Sequence, residues 1–184
     1  GEIYNFKDLK KTYLKSERFH TNGDTEVLLK MWKKYGKKCL DYLDGMYAFS
    51  IWDGNTLHLV TDKFSEKPLF LFKDENKIIF SSEQKIFYEL FKNEILEKDT
   101  KFFDFMGIQI NEESLCKKIK KLKPSNIVTI KKGKIISNEI YQIDNVNQSK
   151  RKIENFSNQN IEEILELLLK SINKRLISDQ RVLI

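Results

Sequence analysis

Apolar positions along the chain change period several times, and each change marks an element. Phe6, Leu9 and Tyr13 share one helical face behind Asn5, which suits an N-cap, with Asp8 in the first turn. A polar loop over 16–23 follows. Val27, Leu28, Met31, Trp32 and Tyr35 then recur at helical spacing until Gly36 offers a stop. Both faces read as core, and a short helix through Cys39 and Leu43 leads out of the second.

From Met46 the period drops to two. Met46 to Trp52 and Thr56 to Thr61, joined by Asp53-Gly54-Asn55, read as a β-hairpin. Ala48 and Ser50 would let a second layer approach one side, while Tyr47, Phe49 and Ile51 fill the other, so the sheet is expected to be covered twice. His58 alternates within this hairpin and is expected to point outward. A turn-rich connection over 62–68 enters a strand, Leu69 to Phe72, that pairs with Lys77 to Ser81 across Asp74-Glu75-Asn76. Ser82 or Glu83 starts a helix ending near Phe91.

A short helix is expected over 99–107, and strands over 127–131 and 134–141 across Lys132-Gly133. Residues 144–158 turn polar and read as a linker. Ile161, Ile164, Leu165, Leu168, Ile172 and Leu176 then line one face of an amphipathic helix, which breaks over 178–181 before Val182-Leu183-Ile184.

The chain has 184 residues, enough for one sizeable core and part of another. With 33 basic and 27 acidic residues the net charge is +6, but lysine is scattered and no aromatic-interleaved basic motif appears, so nucleic acid is not an expected partner. No apolar run reaches membrane-spanning length and no signal peptide is visible, which points to the cytoplasm and away from a membrane. Cys39 and Cys116 lie far apart in no metal-ligand spacing and read as free thiols. No metal site is expected. The first residue is Gly rather than Met, which reads as the mark of a fragment.

Two stretches carry candidate chemistry. Gly1 precedes Glu2 at the end of a short apolar strand, and a glycine there allows close approach to the backbone. Asp24 stands at the start of the second helix. Converging carboxylates from Glu2 and Asp24 would suit the ammonium of an amino acid. Asp24 also fits an N-cap, and Glu2 fits a solvated terminus, so composition alone leaves both readings open.

The order of motifs bears on that choice. Gly1 to Asn5, Asn22 to Leu29, Leu43 to Asp53, Thr61 to Phe70 and Ser81 to Phe87, taken in sequence, resemble the second half of the glutaminase domain of glutamine-hydrolysing asparagine synthetases, which are class II glutamine amidotransferases of the N-terminal-nucleophile hydrolase type. The resemblance implies an α+β fold: part of a four-layer αββα sandwich over 1–143, a linker over 144–158, and over 159–184 the first helix and strand of an α/β nucleotide-binding synthetase domain.

It also implies a two-site chemistry. An N-terminal cysteine, activated by its own α-amine, attacks the glutamine carboxamide, and the oxyanion is held by an asparagine side chain and the backbone N-H of the following glycine. Gly1 matches that glycine. Glu2 and Asp24 match the positions that contact the α-amino group of glutamine. Ammonia then reaches a second half where ATP, with Mg2+, adenylates aspartate, and asparagine results. Ile184 adjoins the position of the ATP-phosphate loop. The cysteine, its asparagine and that loop have no counterpart in these residues, so this polypeptide alone is expected to be inactive. Glutamine, aspartate and ATP are the implied partners, and the family is compatible with a homo-oligomer.

The chain departs from the family where Thr61 replaces an arginine, Ser65 a glycine, Lys123 a proline and Ser125 a glycine. If the glycine at 65 serves a positive φ, Ser65 carries a modest strain, and looser turn chemistry is expected near 125. Two other readings remain: a relative aminating a different acceptor, and a non-catalytic amidotransferase-like binding domain.

Overall fold

The structure is a computed structural model that describes residues 1–91, 118–142 and 158–177. Its strands and helices, in chain order, are β1 (Glu2–Ile3), α1 (Phe6–Tyr13), α2 (Asp24–Tyr35), β2 (Gly45–Met46), β3 (Ala48–Trp52), β4 (Thr56–Thr61), β5 (Phe70–Lys73), β6 (Ile78–Ser81), α3 (Lys85–Phe91), β7 (Ile119–Lys121), β8 (Asn126–Lys131), β9 (Lys134–Ile140) and α4 (Asn158–Arg175). The expected helix over 99–107, the linker over 144–158 up to its last residue, Cys116, and the strand ending at Ile184 lie outside the described residues. Among the described residues no helix is long and apolar enough to cross a membrane.

The chain divides into two compact units, one formed by Gly1–Glu2 with Gly45–Ile143 and the other by Ile3–Asp44 with Asp144–Ile184. The first is built on sheets. Four antiparallel strands run in the order β3-β4-β8-β9, and three more in the order β6-β5-β7. Leu59, Val128 and Ile130 of the larger sheet pack against Leu69, Leu71 and Leu122 from β5, β7 and their flanks, with Ala48 at the margin. The small side chain at 48 packs against that core, whereas Ser50, expected to share the role, is exposed.

The smaller sheet uses its other face too. Period two turns Phe70 and Phe72 away from the first sheet, and they bury against Phe87 and Phe91 of α3, with Ile119. Phe72 and Phe91 stack with ring centroids 4.5 Å apart. Among the described residues this unit is therefore sheet, sheet and helix, with both faces of β5 covered.

Turn chemistry sets the registers. Gly54 takes φ +95° and Asp53 Oδ1 accepts the N-H of Asn55 at 2.9 Å and Thr56 at 2.7 Å, closing β3-β4 with Ala48 opposite Thr61. Lys132 and Gly133, at φ +49° and +68°, make the two-residue turn of β8-β9, whose register slips by a bulge between Thr129 and Ile130. His58 corrects the expectation of an outward residue. It is 8% exposed and pairs with Thr129, its Nδ1 lying 3.3 Å from Thr129 Oγ1, because β4 is an interior strand whose last four residues are all buried.

The second unit is helical. Val27, Leu28, Met31 and Trp32 are the buried residues of α2, and Gly36 at φ +57° ends it by donating its N-H to Trp32 O. Cys39 and Leu40 are buried in a 3-10 turn, Gly36–Tyr42. Tyr13, Tyr35 and Tyr42 form an aromatic cluster with centroids 4.7 to 6.0 Å apart. Asn5 does stand at the N-cap of α1, but its side chain makes no cap bond. It donates instead to Tyr42 O at 2.8 Å and accepts from the Asp44 N-H at 3.0 Å, tying the entry of α1 to the exit of the 3-10 turn. On α4, Lys174 pairs with Asp44 and Arg175 lies over the Tyr4 ring, while the six apolar residues from Ile161 to Leu176 that define its face are 41–53% exposed.

Candidate functional site

Gly1 has a concrete reason to be glycine. A Cβ built there would lie 2.7 Å from Met46 O and 2.8 Å from Tyr47 Cα, so the backbone of 46–47 occupies the space that any side chain would need. The close approach foreseen for a ligand is, on this side, an approach by the protein's own strand. Glu2 follows in β1, half-buried, and among the described residues its carboxylate meets no hydrogen-bond or ion-pair partner.

Asp24 does not cap its helix. Gly23 takes the N-cap position with extended backbone, and Asp24 is the first helical residue. Its carboxylate is half-buried, and Oδ2 accepts the N-H of Ile3 at 2.9 Å. The bond spans 21 residues and lands on the peptide that follows Glu2. Among the described residues Oδ1 is met only by the neighbouring Thr25 hydroxyl at 3.3 Å, so one oxygen keeps lone pairs for a further donor. An acidic group in the first turn also suits the helix dipole.

The loop that delivers Asp24 is ordered by a residue the sequence reading passed over. Glu26 turns back to accept the N-H of His20 at 3.0 Å and the N-H and hydroxyl of Thr21 at 2.7 and 2.9 Å. The His20 bond is the largest of the causes that hold its carboxyl down at about 2, against the opposing effect of desolvation. Lys30 stands 3.7 Å away, one helical turn on, and Lys10 and Lys30 flank the Phe19 ring at 4.0 and 5.2 Å from its centroid.

In the sheet unit the missed residue is Asp62. It is 0% exposed and its carboxylate accepts four backbone N-H groups: Phe64 at 2.9 Å and Glu66 at 3.0 Å on Oδ1, Tyr47 and Lys67 at 3.1 Å on Oδ2. Its carbonyl takes two more, from Ser65 at 3.1 Å and Ser125 at 2.8 Å. Ser65 and Ser125 both sit at φ +53°, so the two serines that stand at the family's glycine positions hold left-handed backbone. Thr61, in the place of the family's arginine, is fully buried, donating to Lys123 O at 2.6 Å and accepting from the Asn126 N-H at 3.1 Å. Tyr141 closes the cluster, its hydroxyl donating to Thr61 O at 2.8 Å and lying 3.1 Å from that of Tyr47. The local signal was present in Asp62-Lys63-Phe64-Ser65, an Asx-turn pattern, but nothing in it announces burial.

Gly1 and Glu2 thus fall in the sheet unit, whereas Ile3 and Asp24, joined by their hydrogen bond, fall in the helical one; Ile184 lies outside the described residues. Cys39 is fully buried, and burial, with Asp41 beside it, pushes its thiol up to about 12, so it is no nucleophile. Among the described residues no three His, Cys, Asp or Glu side chains gather as a metal site.

Known proteins bear on this arrangement. A relative from Bacillus subtilis (strain 168), "Asparagine synthetase [glutamine-hydrolyzing] 3", is 27% identical over 97% of this chain and 29% of its own length. A "Putative asparagine synthetase [glutamine-hydrolyzing] 1" of Methanocaldococcus jannaschii is 34% identical over 68% of this chain and 21% of its own. The chain therefore spans under a third of these curated relatives. Of solved structures, the glutamine phosphoribosylpyrophosphate amidotransferase of B. subtilis superposes with a TM-score of 0.54 at 20% identity, covering 78% of this chain and 28% of that one, which shows a shared fold. A profile of the glutamine amidotransferase domain matches residues 1–142, which is most of the chain, and this protein accordingly belongs to the glutamine amidotransferase domain family, with asparagine synthetases among its relatives.

Proposed function

We propose that this chain is the glutamine-reading part of an enzyme that hydrolyses glutamine to ammonia and uses it, with ATP, to amidate aspartate through an aspartyl-adenylate. The observation that carries the reading is the Asp24-Ile3 hydrogen bond at 2.9 Å. It holds one carboxylate at the peptide after Glu2, whose own carboxylate has no partner among the described residues. An α-ammonium group carries one positive charge and three N-H donors, and the free Asp24 oxygen suits one of those donors; Glu2 is given the same role by its place in the family's motif, not by its position relative to Asp24.

In this reading the thiolate of an N-terminal cysteine, lying ahead of Gly1, attacks the carboxamide carbon and forms a thioester as ammonia leaves with the proton from the thiol. The Gly1 N-H stabilises the oxyanion, and Glu2 and Asp24 bind and orient the substrate without reacting. Residues 1–143 would be the glutaminase part and 159–184 the opening of the synthetase part, joined by 144–158. ATP would supply the energy for amidation in that second part, with Mg2+ screening its phosphates. Among the described residues no three His, Cys, Asp or Glu side chains gather to hold the metal.

The test is Asp24→Asn in the full-length protein. Glutamine-dependent asparagine formation should fall by tenfold or more through KM, since a charge-assisted contact to the ammonium is lost, on the order of 1.5–3 kcal/mol. Ammonia-dependent formation should stay within about twofold, being independent of glutamine binding. Equal loss of both would reduce Asp24 to a folding role.

A further inference from the structure

The Asp62 carboxylate accepts four backbone N-H groups, and its reach extends to the site. Its four backbone contacts divide between its oxygens. Oδ1 serves only the loop, through Phe64 and Glu66, whereas Oδ2 joins the loop at Lys67 to the strand at Tyr47. Tyr47 is held at both ends, since its carbonyl accepts the Asp62 N-H at 2.8 Å. The backbone of Met46 and Tyr47 in turn lies hard against Gly1, within 2.7–2.8 Å of where a Cβ would stand.

We propose that Asp62 is a positioning residue for amide hydrolysis: by gripping the Tyr47 peptide it fixes the wall against which Gly1 rests, and so the direction of the Gly1 N-H toward the developing oxyanion. This rests on the proposed glutaminase reading. The oxyanion contact is made in the transition state, so an error in its direction acts on turnover, while Glu2 and Asp24, which read the amine, are left in place. An asparagine at 62 has one acceptor oxygen. If it serves the loop, its amide presents donors to the N-H groups of Tyr47 and Lys67, and the strand must withdraw. Glycine contacts this close pass that withdrawal to Gly1.

The experiment is Asp62→Asn in the full-length protein, assayed with glutamine and with ammonia as nitrogen source. Glutamine-dependent kcat should fall between about tenfold and a hundredfold, the cost of misplacing a transition-state donor, with the KM for glutamine within about threefold and the ammonia-dependent rate within about twofold. Should the single variant fail to accumulate, Asp62→Asn combined with Ser65→Gly removes the strain from the loop, and the same split is expected. Loss of the ammonia-dependent rate in parallel, a rise in KM with kcat intact, or an unchanged kcat would each overturn the role while leaving the glutaminase reading standing. A wild-type protein that releases no ammonia from glutamine would overturn both.

Discussion

Asp62 completes the last rung of the β3-β4 ladder with its side chain. The register that sets Ala48 opposite Thr61 brings Tyr47 opposite Asp62, and the Asp62 N-H duly donates to Tyr47 O. The return bond from the Tyr47 N-H goes to Oδ2 at 3.1 Å, because the Asp62 carbonyl is already taken by Ser65 and Ser125. A sheet thus ends by handing its edge to a loop without leaving a buried donor unpaired.

That loop is kept at a cost in backbone conformation, and the cost is removable. Ser65 and Ser125 both stand at φ +53°, and the buried Ser65 hydroxyl has no hydrogen-bond partner among the described residues. Left-handed backbone costs an L-residue about 1–2 kcal/mol, and glycine gives back part of that gain through the freedom it adds to the unfolded chain. Ser65→Gly and Ser125→Gly should each stabilise the protein by about 0.5–1 kcal/mol, read as a higher urea midpoint at unchanged slope. A lower midpoint for Ser65→Gly would mean that its hydroxyl has a role the geometry does not show.

Acid should loosen the loop ahead of Asp24 before the rest. The folded carboxyl of Glu26 sits at about 2 against an ordinary 4.5, chiefly through the His20 N-H and then Thr21. The shift is downward, so the stability it contributes is present above pH 4.5 and is lost as the pH falls through 2. Protection of the His20 and Thr21 amides, relative to their intrinsic exchange at each pH, should fall across that window, and Glu26→Gln should show the lower protection already at neutral pH. Protection that is insensitive to the substitution would assign the order of the loop to the Phe19 packing instead.

Cys39 should be silent in the native state. Burial first, and Asp41 second, push its thiol up to about 12, so almost no thiolate exists at pH 8. Iodoacetamide at that pH should leave the Cys39 peptide unlabelled in native protein and label it fully in urea, as read by peptide mass mapping. Labelling without denaturant would show that the 3-10 turn opens locally.

Much of the local structure could be read from one dimension. The spacing of Val27, Leu28, Met31 and Trp32 produces α2, Gly36 stops it, and alternation around Asp53-Gly54-Asn55 produces the first hairpin. These features depend on neighbours within a turn or two, which the sequence states directly. The family's glycine raised a positive φ at Ser65 only as a condition, and the φ of +53° found there meets it.

Burial and hydrogen-bond partnership were decided only in three dimensions. Asp24 fitted a cap as well as a ligand contact and binds the Ile3 N-H, 21 residues away; Asn5 stands at a cap yet spends its side chain on Tyr42 and Asp44. His58 alternates like a surface residue and is enclosed because strands pair on both sides of β4. Asp62, an acidic residue in a polar stretch, becomes the buried anchor of a strand end. In each case the side chain's own chemistry was plain from the sequence, whereas its partner lay on a distant segment, and only folding determines which segments meet.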